Sequence, residues 1–279
     1  MKSQTLKRFG GKAYQASWLW SHAPAHIIYG EPYFGAGAML FARPSRFAAC
    51  SEFANDIDYE LTNFWNVMRS PITFPQFQRQ MQATPLSSVE WEKSREPAPI
   101  LSRWGEDIDA ACRFFVRYRQ SRQAIGEDFV TPTSRLRRNM NEQVSAWLSA
   151  VDGLFETHQR LIRVEIRNQT AISFMRELDS PHTFHYLDPP YLKETRNKSS
   201  TEIYQHEMTY EQHEELLLFL PTLKAKWMLS CYPSPLYDSH AKANGWHHED
   251  LQIDNKSSGA KTKEKKTERI YLNYNPLFE

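Results

Sequence analysis

FHYLDPPYLKETR, Phe184 to Arg196, opens as an apolar run and then turns to two consecutive prolines. Thr183 to Leu187 reads as a buried strand, being short, apolar and rich in aromatics. Proline keeps the residue before it out of the helical region, so Asp188 and Pro189 are both expected to be extended. Neither proline carries an N–H, so the pair interrupts the hydrogen-bonding ladder and can leave a main-chain carbonyl for another donor. The Asp188 carboxylate, that carbonyl and the Tyr191 ring then form a slot with two acceptors and one flat face. An amino group on a flat π-system, with two hydrogens to donate, matches such a slot. A rigid turn is the plainer reading of the same residues.

Outward from this stretch, strand-like and helix-like segments alternate. A helix is expected over Tyr14–Ser21, a strand over His26–Tyr29 and a helix over Ala36–Ala42. A strand near Phe47–Phe53 precedes a helix with Leu61, Phe64, Trp65 and Met68 on one face. After the insertion, strands are expected at Leu161–Ile166, Thr183–Leu187, Lys226–Cys231, Trp246–Ile253 and Arg269–Tyr274, with helices at Thr170–Glu177 and Tyr210–Leu223. Alternation of this kind implies an α/β fold, with a largely parallel sheet and helices on both faces. Residues 71–159 break the pattern. Thr84–Pro99 is rich in Pro, Ser and Glu and reads as a connector, followed by helices over Glu106–Gln123 and Arg138–Glu156 with no convincing strand. The expected organisation is one α/β domain from residues 1–70 and 160–279, with a helical insertion at 71–159.

Sheets of this class bind ligands at the carboxyl ends of their strands. Two further strand ends carry polar signatures. In GEPYFGAGAML (Gly30–Leu40), Gly35 and Gly37 allow a tight turn and close approach of a ligand, and the next helix would offer its first amides to an anion. The same glycines would also serve a purely structural turn. In Asn55-Asp56-Ile57-Asp58, one carboxylate can accept from both hydroxyls of a ribose. Asp56 suits that role, and Asp58 suits the N-cap of the helix after it.

Hydrophobic residues are 41% and charged residues 24% of the 279 residues, values of an ordinary globular protein. Three scattered cysteines give no disulfide framework, and no apolar run approaches membrane-spanning length, so a cytoplasmic protein with no membrane partner is expected. Histidines such as His206, His213, His247 and His248 make no ligand spacing, and no metal is expected. The net charge of +1 conceals two basic tracts. Arg113–Arg138 holds seven arginines against Glu127 and Asp128, and Lys256–Arg269 holds six basic residues against Glu264 and Glu268. Such tracts are either solvated faces or footprints for phosphate.

FGGK (Phe9–Lys12), EPYFGAGA (Glu31–Ala38), NDID (Asn55–Asp58) and DPPY (Asp188–Tyr191), taken in this order, resemble DNA adenine N6-methyltransferases of the Dam type. YQHEMTYEQHEELL (Tyr204–Leu217), LSCYPSPLYD (Leu229–Asp238) and TERIYLNY (Thr267–Tyr274) are similar to a prophage-type branch. The resemblance runs from about residue 6 to 276 and is weakest over 71–160. It implies a Rossmann-like, S-adenosylmethionine-dependent methyltransferase domain with a helical DNA-recognition insertion, and double-stranded DNA as partner. It places Phe9, Gly10, Lys12, Glu31, Phe34, Gly35, Gly37, Asp56 and Asp188 around the cofactor, and Asp188, Pro189, Pro190 and Tyr191 around the target adenine. Two positions depart from the pattern. Arg8 stands where a tryptophan is common, and Thr170 stands where an acidic residue is expected, which passes cofactor-adenine recognition to main chain or to Asn168.

The residues suit that chemistry. The adenine N6 lone pair is delocalised into the ring, and accepting both of its hydrogens favours the tetrahedral geometry needed for attack. Cytosine C5 methylation would need a Pro-Cys pair, whereas Ala49, Ala111 and Ser230 precede the three cysteines. With DNA as substrate, Arg117, Arg119, Arg122, Arg135, Arg137 and Arg138 become candidates for phosphate or guanine contacts. Lys193 and Arg196 would hold the strand near the target, and Lys256, Lys261 and Lys263 would add phosphate contacts. N4-cytosine methylation in the same slot, and a DNA-binding relative without catalysis, remain the alternatives.

Overall fold

Thr183–Leu187 forms the expected strand, with all five side chains buried. The computed structural model describes residues 5–6, 11–47, 50–96, 106–131, 133–196, 206–254 and 265–276. By compactness the chain divides into two units, residues 1–20, 35–44 and 58–168 in the first, and 21–34, 45–57 and 169–279 in the second.

The second unit carries β1 (Ile28–Glu31), β2 (Ser51–Asn55), β6 (Thr183–Leu187), β7 (Lys226–Cys231), β8 (His247–Asp254) and β9 (Lys265–Leu272). They lie side by side in the order β2-β1-β6-β7-β9-β8. The first four are parallel, with Gly30 opposite Phe53 and His185, and Tyr186 opposite Met228. β9 runs antiparallel to β7, with Ser230 opposite Ile270, and β8 is antiparallel to β9. The chain leaving β1 crosses to β2 on one side, whereas the chain leaving β6 crosses to β7 on the other. Their carboxyl ends therefore form a topological switch point, where open sheets of this class take ligands.

Helices α9 (Ala171–Glu177), α10 (Tyr210–Phe219) and α11 (Pro235–Asn244) belong to the same unit. Phe174, Leu187, Leu216, Leu217, Trp227 and Trp246 share one core cluster, with Trp227 edge-on to Trp246 at 4.7 Å. Each such side chain contributes about 1.5–3 kcal/mol by leaving water. α11 was not anticipated, although Ser234 caps it, Pro235 starts it and Gly245 ends it in the left-handed region.

His185, at the centre of β6, is fully buried against Phe174, with ring centroids 6.0 Å apart. A Cβ on Gly30 would stand 2.6 Å from its Nδ1, so glycine is needed there. Burial pushes the imidazole pKa down to about 3, against a smaller opposing contribution from the Gly30 main chain. His213 is likewise pushed down to about 4, chiefly by burial and then by Arg196. Both are depressed below the ordinary 6.5 of the unfolded chain, so the unfolded chain binds more protons below that pH. Stability is therefore expected to fall as pH drops from about 6.5 towards 4. Denaturant titrations along that range should give a shallower decline for His185→Asn, and identical slopes would contradict the assignment.

The first unit is mainly helical: α2 (Ala38–Ala42), α3 (Tyr59–Arg69), α4 (Phe74–Ala83), α5 (Ser88–Arg95), α6 (Ile108–Arg119), α7 (Glu142–Asp152) and α8 (Leu154–Leu161). A short α1 (Ala16–Ser21) precedes β1. Leu61, Phe64, Trp65 and Met68 are all buried, as their spacing implies, and the Phe64 ring meets Phe77, Phe114 and Phe115. Asp58 caps α3 by accepting from Leu61 N at 3.1 Å.

Four expectations change. Thr84–Pro99 is no plain connector. It contains α5, pinned by Trp91 Nε1 donating to Arg117 O, while buried Gln120 donates to Pro85 O and accepts from Ser87 N. α4 was missed, although Phe74, Phe77 and Met81 recur at helical spacing on its buried side. A small hairpin of β3 (Leu136–Arg137) and β4 (Met140–Asn141) turns through Arg138 and Asn139, both at positive φ. Finally α8 runs through Leu161, so the next strand, β5, starts later and spans Val164–Arg167. Among the described residues, no helix is long and apolar enough to cross a membrane.

Candidate active site

β6 stops at Leu187, and no regular element follows until a short 3-10 turn at Lys193–Thr195. Asp188 and Pro190 are half-buried, and Pro189 and Tyr191 are buried. The Tyr191 hydroxyl turns inward and donates to Glu268 Oε1 on β9. The same oxygen accepts from Ser230 Oγ of β7 at 2.7 Å. Burial raises the Tyr191 pKa well above its usual value, and the neighbouring Glu268 and Asp188 carboxylates raise it further. Tyr191 therefore keeps its proton and acts as a donor. Its ring meets Tyr232 edge-on at 4.6 Å.

Beside these rings opens a cleft of about 600 Å³ lined by Glu194, Thr195, Tyr232, Pro233, Ser234 and Lys266. Tyr232 was not singled out from sequence. Its place directly after the buried run Lys226–Cys231, at a strand end beside the one carrying Asp188, was the signal that could have found it.

The neighbouring strand ends carry the other acidic groups. Glu31 closes β1, is buried, and accepts from Tyr29 Oη at 2.9 Å. Asp56 follows β2, and its charge, second to burial, raises the pKa of Tyr33. Asn55 is the residue that ties these ends together. It donates to Pro32 O and to Gln169 O, both at 3.0 Å, and accepts from Gln169 N at 3.0 Å. Its own carbonyl accepts from Phe34 N at 2.8 Å. Sequence reading passed over Asn55 in favour of the two aspartates beside it.

Other expected cofactor residues lie in the first unit. Lys12 is buried, and Asn168 donates to Thr62 Oγ1 at 3.4 Å. Gly35 and Gly37 have φ of 51° and 68°, which makes glycine the residue suited to both. A Cβ on Gly35 would meet nothing within 4 Å, and Gly35 O accepts from Trp65 Nε1. The helix after this turn, α2, has only five residues and starts from Gly37 at its N-cap. Phe9 and Gly10 lie outside the described residues.

Residues 147–266 match the family model of D12 class N6 adenine-specific DNA methyltransferases. The match takes in α8, β6, the Asp188–Tyr191 turn, β7 and the start of β9, and leaves Glu31, Gly35 and Asp56 outside it. No curated protein matches the chain.

Burial sorts the basic residues that the sequence singled out. Arg196 is 9% exposed and pairs through both terminal nitrogens with Glu207, at 2.9 and 2.5 Å. That guanidinium is buried against Glu207. Arg119 is half-buried, with its guanidinium Nε and Nη1 out of reach of solvent. Its Nη2 donates to Ala146 O, its Nε and Nη1 have no partner among the described residues, and burial lowers its pKa to about 10. Arg117 pairs with Glu60 and lies over Tyr118, and Arg138 folds back on Ser145 and Ser149. Arg122 pairs with Asp128 in an exposed bridge of little energetic weight. Arg135, Arg137 and Lys193 are exposed. Arg269 is taken by Asp238 and Asp250, and Lys256, Lys261 and Lys263 lie outside the described residues.

Proposed function

We propose that the protein is an S-adenosylmethionine-dependent DNA methyltransferase that modifies N6 of adenine in double-stranded DNA. The observation that carries this reading is the Asp188-Pro189-Pro190-Tyr191 turn. It ends a fully buried strand at the switch point of a largely parallel sheet, inside the span that matches the D12 class.

The residues present suit such a methyl donor. Glu31 and Asp56 supply carboxylates at adjacent strand ends, for a cationic group and for ribose hydroxyls, and Phe34 is pinned between them in sequence by Asn55. When bound, the cofactor supplies an electrophilic methyl group on a sulfonium. The protein does the rest by positioning. Asp188 and a proline carbonyl accept the two N6 hydrogens, which concentrates the nitrogen lone pair on the side facing the methyl group. The base must leave the duplex to reach the slot, at a cost of about a few kcal/mol. Tyr232, which lines the cleft, supplies a stacking face there, with Tyr191 bracing it from its edge.

Residues 71–159 are the proposed DNA-reading part, and Arg135 and Arg137 on the exposed hairpin are its leading contacts. Replacing both with Ala should weaken DNA binding and flatten its salt dependence by about two phosphate contacts. Arg119→Met should leave DNA affinity unchanged and stability equal or higher, because it removes a poorly satisfied buried charge. Fluorescence anisotropy at several salt concentrations measures both, and loss of DNA affinity in Arg119→Met would contradict the sorting by burial. The cytoplasm, where bacterial DNA resides, is the expected place of work.

Single-molecule sequencing of DNA from cells expressing the protein tests the function, since it reads modified base and context together. N6-methyladenine absent from an Asp188→Ala control supports the reading. N4-methylcytosine in its place, or no modification, would overturn it.

A further inference from the structure

We infer that Glu268 is the positioning residue of the amino-group slot, holding Tyr191 from the neighbouring antiparallel strand; this rests on the function proposed above. Glu268 is 2% exposed, and its Oε1 takes two hydroxyl donors, Tyr191 Oη and Ser230 Oγ. Ser230 faces Ile270 in the β7–β9 register, so the carboxylate reaches from β9 across the end of β7 to the turn that carries Asp188.

A carboxylate is a costly choice for that place. Burying an ionisable group is unfavourable unless its hydrogen bonds return what water gave, and an apolar side chain would fill the same volume at less cost. What a carboxylate adds is direction. A charge-assisted bond is about twice as strong as a neutral one and fixes where the hydroxyl points. With its hydroxyl fixed, the Tyr191 ring can rotate only about its own long axis, and its edge is set against Tyr232.

The same strand holds the second ring. Two residues before Glu268, and so on the same face of β9, Lys266 places Nζ 4.8 Å from the Tyr232 ring centroid. Both aromatic walls of the slot are thus steadied by alternate residues of one strand. Glu268 does not touch the reacting amine. Its effect passes through Tyr191, and it should appear in turnover rather than in binding.

The test compares Glu268→Ala, Glu268→Gln, Tyr191→Phe and the Glu268→Ala/Tyr191→Phe double variant on unmethylated genomic DNA, with Asp188→Ala as the inactive control. Glu268→Ala should lower kcat about 30–100-fold while cofactor and DNA affinities stay within threefold. Glu268→Gln, which keeps an acceptor oxygen, should recover to within about fivefold of wild type. The double variant should be no slower than Glu268→Ala alone, because both changes break the same contact. On duplexes carrying 2-aminopurine at the modified position, the fluorescence rise that reports the extruded base should be smaller for Glu268→Ala. Should Glu268→Ala fail to fold, Tyr191→Phe decides, with an expected loss of about tenfold in kcat. Unchanged kcat in Glu268→Ala, or in Tyr191→Phe in that event, beside an active wild type and an inactive Asp188→Ala would overturn the positioning role and leave the function standing. A wild type that forms no N6-methyladenine would overturn both.

Discussion

Asp188→Ala is expected to lower methyl transfer by at least about 10³-fold, with cofactor and DNA affinities changed by no more than a few-fold. The size follows from what the carboxylate does. Removing one preorganised group that acts on charge developing in the transition state costs about 10²–10³ in other enzymes. In the proposed mechanism the same change also removes the group that orients the nucleophile. Binding should survive because Asp188 is half-buried at a strand end, so truncation leaves no sealed cavity. Asp188→Asn should fall between the two, since its amide keeps one acceptor oxygen. Initial rates with a radiolabelled methyl donor give the comparison. Near-normal turnover in Asp188→Ala would remove the chemical basis of the proposed mechanism.

Asn55→Ala should be the most damaging change for the folded unit. Asn55 is 0% exposed, and its side chain makes three hydrogen bonds, to Pro32 O, Gln169 O and Gln169 N. Alanine leaves all three main-chain partners unsatisfied, at about 1 kcal/mol or more each. A loss of roughly 3 kcal/mol corresponds to a drop of about 10 °C in melting temperature for a unit of this size. The segments released follow β1 and β2 and precede α9, so cofactor affinity should fall about tenfold as well. Calorimetry with and without S-adenosylmethionine measures both effects. An unchanged transition would show that the strand ends are held by something other than Asn55.

These two residues also show what was legible in the sequence. Asp188 is conspicuous as a candidate, because two prolines after an apolar run have few structural uses and a carboxylate stands before them. The bounds of β6 and β7 match the sequence reading, each being a short, mostly apolar segment buried on both faces. The buried face of α3 was legible from its spacing, and Asp58 from its place just before that helix. Asn55 was not, because its importance lies in Gln169, which is 114 residues away in the chain. Glu268 was hidden for the same reason. It sits in a basic tract and reads as one more surface charge, until folding brings it to Tyr191, 77 residues earlier.

Arginine shows the limit from the other side. Arg119, Arg135 and Arg196 are indistinguishable as letters in a basic stretch. Only tertiary packing encloses the guanidinium of the first and buries the third while leaving the second in water. The short elements failed differently. α5 was masked by a Pro-, Ser- and Glu-rich composition, and what anchors it are long-range bonds from Trp91 and Gln120. The β3–β4 hairpin rests on two non-glycine residues in the left-handed region, with the Arg138 side chain bonded back to Ser145.

Nucleoside mass spectrometry tests the central claim most directly. Unmethylated duplex DNA is incubated with the protein and S-adenosylmethionine carrying a deuterated methyl group, then digested to nucleosides. The account predicts deuterated N6-methyladenine, formed by the wild type and absent with Asp188→Ala. Label in N4-methylcytosine without N6-methyladenine, or equal label in the two adenine samples, would contradict it.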